Sequence, residues 1–337
     1  LGSNGLKTSR DAWAYNSSKR ALAANIERSI EHYNAQLDDF QRSQPSGNGK
    51  ERAEAAKKFV DSDPTRYSWD RADFVRMATG QRYETSADMF RTGLYRPFFK
   101  QRVAFGRAVN NETYQLPKLY PTPQATNRGI SIVGTGTEVP FACLATDALP
   151  QMHVVGASSN TRHYARLRYA EPPAEPTLLE DDDDDASGWQ RGSNLNPTAV
   201  RKFQADLGSD LTDDDVFHYV YGALHSPDFR SRYESNLKKE APRVPMPSDR
   251  ATFNAYRDAG AELMELHIGY ETVEPHPLEE HWATGADPAD DPKVLRVGDK
   301  KMRYPKVTDP ETGDKVTDRT QLIYNQYLTL SGIPEQA

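Results

Sequence analysis

The first forty residues carry apolar side chains at helical spacing, and this pattern constrains the fold more than any other feature of the chain. The apolar positions recur every three or four residues, which places them on one face of a helix. They are Leu22, Ile26, Ile30, Tyr33, Leu37 and Phe40. Asn16 is a candidate N-cap, and the Gly- and Ser-rich residues 43–49 end the helix as a loop. Shorter helices are predicted over residues 50–60 and after Asp70.

Helical spacing disappears between residues 92 and 128, where aromatic and basic residues alternate with prolines. Proline has no backbone N–H, so this stretch is predicted to be extended strand and loop. The run Ile130–Val133 predicts a strand, and further strands are expected at Met152–Val155 and His163–Tyr169. These strands predict a small, mostly antiparallel central sheet.

Helix signals return after residue 196. Asn196-Pro197 matches an N-cap followed by the first helical position, and Gly208 matches a C-terminal stop. Thr212 and Asp215 match a capping box. Eight apolar side chains are expected to pack these helices together: Phe217, Val220, Leu224, Phe229, Tyr233, Phe253, Tyr256 and Leu263.

The predicted fold class is therefore α+β, with long N-terminal helices, the central sheet, and a C-terminal helical region that carries a β-hairpin. The sequence divides into four segments. They are a helical and basic-aromatic segment (1–128), a small β region (129–170), an acidic linker or insertion (171–196), and a helical region with a terminal hairpin (197–337).

Composition narrows the class of protein. Cys143 is the one cysteine, so the chain has no internal disulfide and no cysteine-built zinc site, and this residue is expected to be a small core residue rather than a nucleophile. No apolar run approaches the ~18 residues of a membrane span, and no signal peptide is visible. We therefore expect the cytosol as the compartment.

Charge is unevenly distributed along the chain. The net charge is −7, yet residues 91–128 contain seven basic residues and one acid, Glu112. The run from Glu180 to Asp185 alone supplies six negative charges. Because salt screens charges beyond ~10 Å, a local basic stretch can bind phosphate on an acidic chain. A solvated basic face explains the composition equally well.

Catalytic signatures are missing from this segment. It has no Walker loop and no Gly-x-Ser-x-Gly elbow, and Gly134 and Gly136 form a turn signal rather than a dinucleotide loop. His276 and His281 lie near two glutamates, but no metal site is predicted there. Neither a catalytic nor a metal-binding residue is assigned, and whether the segment is itself an enzyme stays open.

Binding chemistry is present in two blocks, around residues 7–11 and 95–102. Arginine can grip guanine or phosphate, glutamine can read adenine, and hydroxyl groups can hold phosphate. The candidate DNA-binding residues are Lys7, Thr8, Ser9, Arg10, Tyr95, Arg96, Lys100, Gln101 and Arg102. Asp11 is expected to orient Arg10. From chemistry alone, the alternative is a core of aromatics with arginines that point into solvent.

The same blocks carry a resemblance to a known family. The chain resembles the C-terminal specificity region of type ISP restriction-modification enzymes, which are single polypeptides with nuclease, helicase-like, methyltransferase and target-recognition parts. The matching segments include residues 3–16 (SNGLKTSRDAWAYN), 94–101 (LYRPFFKQ), 114–117 (YQLP), 215–225 (DVFHYVYGALH) and 331–334 (SGIP). Ser9 replaces the family's usual Asn, residues 161–168 depart from its usual pattern, and the acidic run at 180–185 is peculiar to this chain. The family also continues beyond residues 331–334, so Ala337 resembles a truncation.

This resemblance implies that the chain reads an asymmetric site on double-stranded DNA for adenine methylation and ATP-dependent restriction. The upstream methyltransferase and helicase domains of the same polypeptide would be its protein partners, with no membrane involved. The parent enzyme would use S-adenosylmethionine, ATP and Mg²⁺, none of them bound in this segment. Two alternatives are a structural coupler of a helicase-nuclease and a fragment of a stand-alone adenine methyltransferase.

Overall fold

The computed structural model describes residues 1–137, 139–156, 159–171, 188–298 and 302–334. The chain divides into two compact units, Leu1–Glu271 and Thr272–Ala337. The finer division into four segments stays a prediction, and the acidic run at 180–185 lies outside the described residues.

The helices and strands alternate irregularly along the chain, as in an α+β fold. The helices are α1 (Asp11–Ala14), α2 (Lys19–Arg42), α3 (Gly49–Phe59), α4 (Arg71–Thr79), α5 (Pro197–Leu207), α6 (Asp213–His225), α7 (Pro227–Arg232), α8 (Glu234–Leu237) and α9 (Arg250–Ile268). The strands of the first unit are β1 (Ser3–Asn4), β2 (Tyr15–Asn16), β3 (Phe90–Arg96), β4 (Phe99–Ala104), β5 (Gly129–Val133), β6 (Cys143–Thr146), β7 (Leu149–Pro150), β8 (Thr161–Ala165), β9 (Leu167–Ala170) and β10 (Gln190–Ser193).

Three sheets form in the first unit. One is antiparallel with strand order β1-β8-β5-β6, and a second has the order β2-β4-β3-β7, in which β7 pairs with β3 in parallel. Strands β9 and β10 make a separate two-stranded antiparallel ribbon. The small, mostly antiparallel sheets confirm the predicted fold class.

The long N-terminal helix buries the face that its apolar spacing predicts. All six predicted residues of α2, from Leu22 to Phe40, are buried, and they pack with Tyr67, Met77 and Tyr83. Its N-cap is Ser18 rather than the predicted Asn16, because the Ser18 side chain accepts a hydrogen bond from the Ala21 N–H.

The secondary structure differs from the sequence-based prediction at two places in the central region. The strand predicted at Met152–Val155 is a turn, in which the Val154 N–H donates to the Gln151 carbonyl at 3.2 Å. Strand β10 lies inside the stretch predicted to be a linker, since its backbone pairs with β9 from Gln190 to Ser193.

The C-terminal helices of the first unit pack on the central sheet. Ile130, Ile132 and Cys143 of the sheet form one buried cluster with Phe217, Tyr221, Leu224 and Met264 of α6 and α9. The two helices approach closely at Gly222 and Gly260, where a Cβ would lie 2.1 Å from the Tyr256 carbonyl oxygen and 2.0 Å from the His218 carbonyl oxygen. The cysteine is buried, as predicted, and its burial raises its pKa to about 11.

The second unit is built from short antiparallel strands. They are β11 (Glu279–Trp282), β12 (Lys306–Thr308), β13 (Lys315–Thr317), β14 (Gln321–Ile323) and β15 (Leu328–Ser331). Strands β12 and β13 form the predicted hairpin, and β11, β15 and β14 form a three-stranded sheet. No helix in the described ranges is long and apolar enough to span a lipid bilayer.

Replacing Phe253 by alanine should destabilise the first unit, because this α9 side chain is fully buried against Tyr219 and Phe203. We expect a loss of about 3–5 kcal/mol in the free energy of unfolding, measured by urea denaturation. Leu266→Ala in the same helix is the control, since that side chain is 45% exposed, and its cost should stay near 0.5 kcal/mol. Equal costs for the two variants would contradict the observed packing.

Stability should fall in acid because of His163. Its ring is fully buried, and burial lowers its pKa to about 3, whereas an unfolded histidine titrates near ~6.5. Between these two pKa values, the histidine is protonated in the unfolded chain and neutral in the folded chain. The free energy of unfolding therefore decreases by up to ~1.4 kcal/mol for each unit by which the pH falls. Removing the titrating group with His163→Gln should flatten the pH dependence between roughly pH 6 and pH 4. Parallel curves for the variant and the parent chain would show that His163 does not titrate in this way.

Candidate nucleic-acid interface

The first unit contains a cleft of about 1410 Å³. It runs between the β3–β4 hairpin on one side and the β9–β10 ribbon with the start of α6 on the other. Six cationic side chains line it: Arg91, Lys100, Arg102, Arg128, Arg166 and Arg191. Its acidic lining residues are Asp147, Asp214 and Glu271. A concave surface with an excess of cations suits a polyanionic ligand.

Gln101 and Arg102 present polar groups to the cleft from β4. The Arg102 side chain is exposed and donates to the neutral Thr92 hydroxyl at 3.0 Å, and it forms no ion pair within the part of the chain that the structure describes. The Gln101 side chain is half-buried, and no hydrogen bond from its amide occurs within the described residues. Both side chains therefore lie at the surface of the cleft.

Lys100, the third predicted residue in the cleft, is held by the protein itself. Its Nζ donates to the Ile268 carbonyl at the C-terminal end of α9 and pairs with Asp147, both at 3.0 Å. Its backbone N–H donates to the Tyr270 hydroxyl at 2.8 Å, and its side chain is only 16% exposed. A cation at a helix C-terminus is favoured by the helix dipole, so Lys100 fixes the hairpin against α9.

Tyr95 and Arg96 lie away from the cleft, next to the N-terminal segment. Arg96 is exposed and stacks on the Tyr95 ring, with its Cζ 4.0 Å from the ring centroid. It also donates to the Gln151 side chain at 3.3 Å, and Gln151 in turn donates to Asp11 at 3.4 Å. These two predicted residues therefore belong with residues 7–11 in a second patch.

In that second patch, the side chains differ in exposure. Ser9 is exposed and has a left-handed backbone with φ of 56°. Lys7 is half-buried, and its backbone pairs with Glu112. Thr8 is buried, and its hydroxyl donates to the Asp11 carboxylate. Of residues 7–10, only Lys7 and Ser9 thus present much surface to a ligand.

The Arg10 guanidinium is buried in an ion-pair network. It pairs with Asp70 at 3.1 Å and Asp73 at 2.9 Å, and it donates to the Tyr67 hydroxyl at 2.8 Å. Burial alone would lower the pKa of Arg10, but Tyr67 and Asp73 raise it overall, so the side chain stays charged. The expectation that Asp11 orients Arg10 is wrong, because Asp11 accepts from Thr8 and other carboxylates hold the guanidinium.

The nine predicted residues therefore form two groups. Lys100, Gln101 and Arg102 line the cleft, whereas Tyr95 and Arg96 lie with the segment from Lys7 to Arg10. Whether any of these residues binds DNA stays a prediction. Thr8, Arg10 and Lys100 are largely buried and make contacts within the protein. The neighbouring residues in the sequence do not predict these contacts.

Sequence reasoning missed the opposite side of the cleft, formed by Arg128, Arg166 and Arg191. Arg166 and Arg191 come from a region whose overall charge is acidic, and Arg191 lies within the stretch predicted to be a linker. The available signal was the pair of arginines at 166 and 168 followed by an aromatic, Tyr169, in a predicted strand.

Two further features bear on cofactors and metals. Among the described residues, no group of three or more His, Cys, Asp or Glu side chains is arranged to hold a metal ion. His225 lies 3.2 Å from the Cys143 sulfur, and burial lowers the pKa of this histidine to about 4. The histidine is therefore neutral at pH 7 and forms part of the packing between α6 and β6.

The described residues form a mixed α+β domain with a cleft lined by six cationic side chains. The chain belongs to the family of type ISP C-terminal specificity domains, whose family model matches residues 1–337. No match to a curated protein sequence was found.

Three solved structures are similar over nearly the whole chain. A nuclease-deletion mutant of the type ISP restriction-modification enzyme LlaGI, in complex with a DNA substrate mimic, shares 28% identity with a TM-score of 0.73, covering 100% of this chain and 26% of that one. The DrdV–DNA complex shares 27% identity with a TM-score of 0.72, covering 99% and 29%. The ATP-dependent type ISP enzyme LlaBIII bound to DNA shares 24% identity with a TM-score of 0.72, covering 99% and 18%, and supports the fold alone.

Replacing Arg10 by alanine should destabilise the chain, because it leaves Asp70 and Asp73 without their buried cation. The expected loss is about 3–5 kcal/mol in the free energy of unfolding, measured with urea. Arg66→Ala is the control, since Arg66 pairs with Asp61 at 3.2 Å while its side chain is 62% exposed, and it should cost no more than ~1 kcal/mol. An Arg10→Ala protein of unchanged stability would show that the network does not hold the N-terminal segment.

Proposed function

We propose that this chain is the double-stranded DNA recognition domain of a type ISP restriction-modification enzyme. The observation that carries the proposal is the cleft lined by Gln101 and Arg102, where Arg102 forms no ion pair with any carboxylate of the described residues. A glutamine amide can bond the N6 and N7 edge of adenine, and an arginine can bind phosphate or guanine. The family membership and the DNA-bound structural relatives support the same conclusion.

Arg102 and Gln101 suit different contacts with DNA, because their charges and surroundings differ. Arg102 is exposed and cationic, which suits a phosphate contact that positions the duplex. Gln101 carries no charge and has a free amide, which suits a base contact that discriminates sequence. Lys100 would support both indirectly, by fixing the strand that carries them.

The chain spans between 18% and 29% of the length of the structurally similar chains, so the activity of a complete enzyme lies beyond it. In the proposed parent polypeptide, the chain would read an asymmetric site and present its adenine to an upstream methyltransferase. S-adenosylmethionine would supply the methyl group there, and ATP with Mg²⁺ would serve the helicase part. We place this enzyme in the cytoplasm, where its DNA substrate is found.

Arg102→Ala should weaken binding to a short labelled duplex and flatten the slope of log affinity against log salt by about one unit, since one phosphate contact is lost. Arg107→Ala is the matched control, because Arg107 is an exposed cation of the same basic stretch and lies outside the cleft. Fluorescence anisotropy over a salt series measures both slopes. If the two variants behave alike, the cleft has no special role.

Gln101→Ala should leave the salt slope unchanged and relax base preference at one adenine by about 1–3 kcal/mol. Selection from a randomised duplex pool, followed by sequencing of the bound fraction, measures this loss. Failure of the unsubstituted chain to bind any duplex at low salt would overturn the proposal and favour a structural coupler instead.

A further inference from the structure

The β9–β10 ribbon presents two chemically different faces. Residues directly opposite in an antiparallel pair share a face, so Arg191, opposite Tyr169, and Ser193, opposite Leu167, lie together. This face lines the cleft through Leu167, Arg191 and Ser193, and the backbone of Gly192 between them lines it as well. Arg168, opposite Gly192, lies on the other face and is exposed outside the cleft.

Polar contacts fix the ribbon in place. The buried Asn127 side chain bonds both backbone groups of Leu167, with its Nδ2 donating to the carbonyl at 2.9 Å and its Oδ1 accepting from the N–H at 3.1 Å. The Tyr169 hydroxyl donates to the Thr126 carbonyl at 2.7 Å. These bonds hold the strand next to the segment that leads into β5.

A second set of contacts joins the ribbon to the start of α6. The Arg166 guanidinium donates to Asp214 at 2.6 Å and to Ser193 at 3.2 Å, and the Ser193 hydroxyl donates to Asp213. Arg166 is only 16% exposed, so it acts as a positioning residue. Arg191 is exposed and also lines the cleft.

The geometry argues against insertion of the ribbon into a DNA groove. A two-stranded ribbon that enters the major groove is surrounded by DNA on both faces. Here Tyr169 is buried and Leu167 is half-buried. Strand β9 is therefore covered by the protein on the face that it shares with Arg191. The ribbon therefore offers a fixed cationic side to the cleft, across from β4.

We infer that the β9–β10 ribbon is a second DNA-contacting element, in which Arg191 binds the phosphodiester backbone of the duplex on the side of the cleft opposite Arg102. This inference rests on the proposed function and extends it to a wall of the cleft that the sequence analysis did not assign. Backbone contacts from both sides would fix the register in which Gln101 meets its base.

The test compares Arg191→Ala with Arg168→Ala in this chain, with a short labelled duplex of mixed sequence as the probe. Both substitutions remove one positive charge from the same ribbon, so their effects on net charge are equal. Arg191→Ala should flatten the slope of log affinity against log salt by about one unit, whereas Arg168→Ala should keep the parent slope. The Arg102→Ala/Arg191→Ala double variant should lose about two units.

Arg191→Lys separates backbone from base contact, because lysine still binds phosphate as a point charge but cannot replace a two-pronged arginine. The slope should return to that of the parent chain, and it serves as the informative variant if Arg191→Ala does not fold. The inference is overturned if Arg191→Ala and Arg168→Ala have the same slope, or if Arg191→Lys binds as weakly as Arg191→Ala. When Arg102→Ala lowers the slope and Arg191→Ala does not, only this inference fails; absence of binding by the parent chain overturns the proposed function as well.

Discussion

Hydrogen bonds among three buried side chains, Ser131, His163 and Tyr120, join the central sheet to the segment around Tyr120, which lines the cleft. His163 of β8 lies 2.9 Å from the Ser131 hydroxyl through Nδ1 and 2.9 Å from the Tyr120 hydroxyl through Nε2. Gly129 makes room for the ring, since a Cβ there would lie 2.2 Å from it. The Tyr120 carbonyl then accepts from Arg91 at 3.2 Å, which carries the connection to the cleft. Because His163, Ser131 and Tyr120 satisfy one another, their burial leaves none of these three side chains without a hydrogen-bond partner.

Three of the cationic side chains that line the cleft form ion pairs with carboxylates. Lys100 pairs with Asp147, Arg128 with Glu265, and Arg166 with Asp214. The carboxylates of these pairs are 45–65% exposed, and ion pairs at such a surface contribute little to stability. If the cleft binds DNA as proposed, a phosphate can replace the Glu265 carboxylate at small cost, because the Arg128 side chain is itself 45% exposed. The buried pairs of Arg10 with Asp70 and Asp73 cannot exchange in this way, since separating them would leave charges without water or partner.

Local patterns predicted the helices well, because their signals depend on neighbouring residues. The apolar face of α2 is buried as its spacing indicates, and the capping box of Thr212 and Asp215 begins α6. The roles of single cations were harder to predict. Arg10 meets carboxylates 60 and 63 positions away, and Lys100 meets a carbonyl 168 positions away. Nothing in the residues next to a basic side chain indicates whether a distant carboxylate will cover it, so both were read as binding residues.

The β9–β10 ribbon shows a second limit of sequence patterns. Strand β10 has the sequence Gln-Arg-Gly-Ser and lacks the alternating apolar residues by which a half-buried strand is recognised. Its place depends instead on backbone pairing with β9 and on the side chains of Asn127, Arg166 and Tyr169. A strand held by backbone pairing and hydrogen bonds can lack apolar side chains, because none of its side chains is needed to form the core. The same property that suits the ribbon to contact a polyanion therefore removes the hydrophobic signal that would have revealed it.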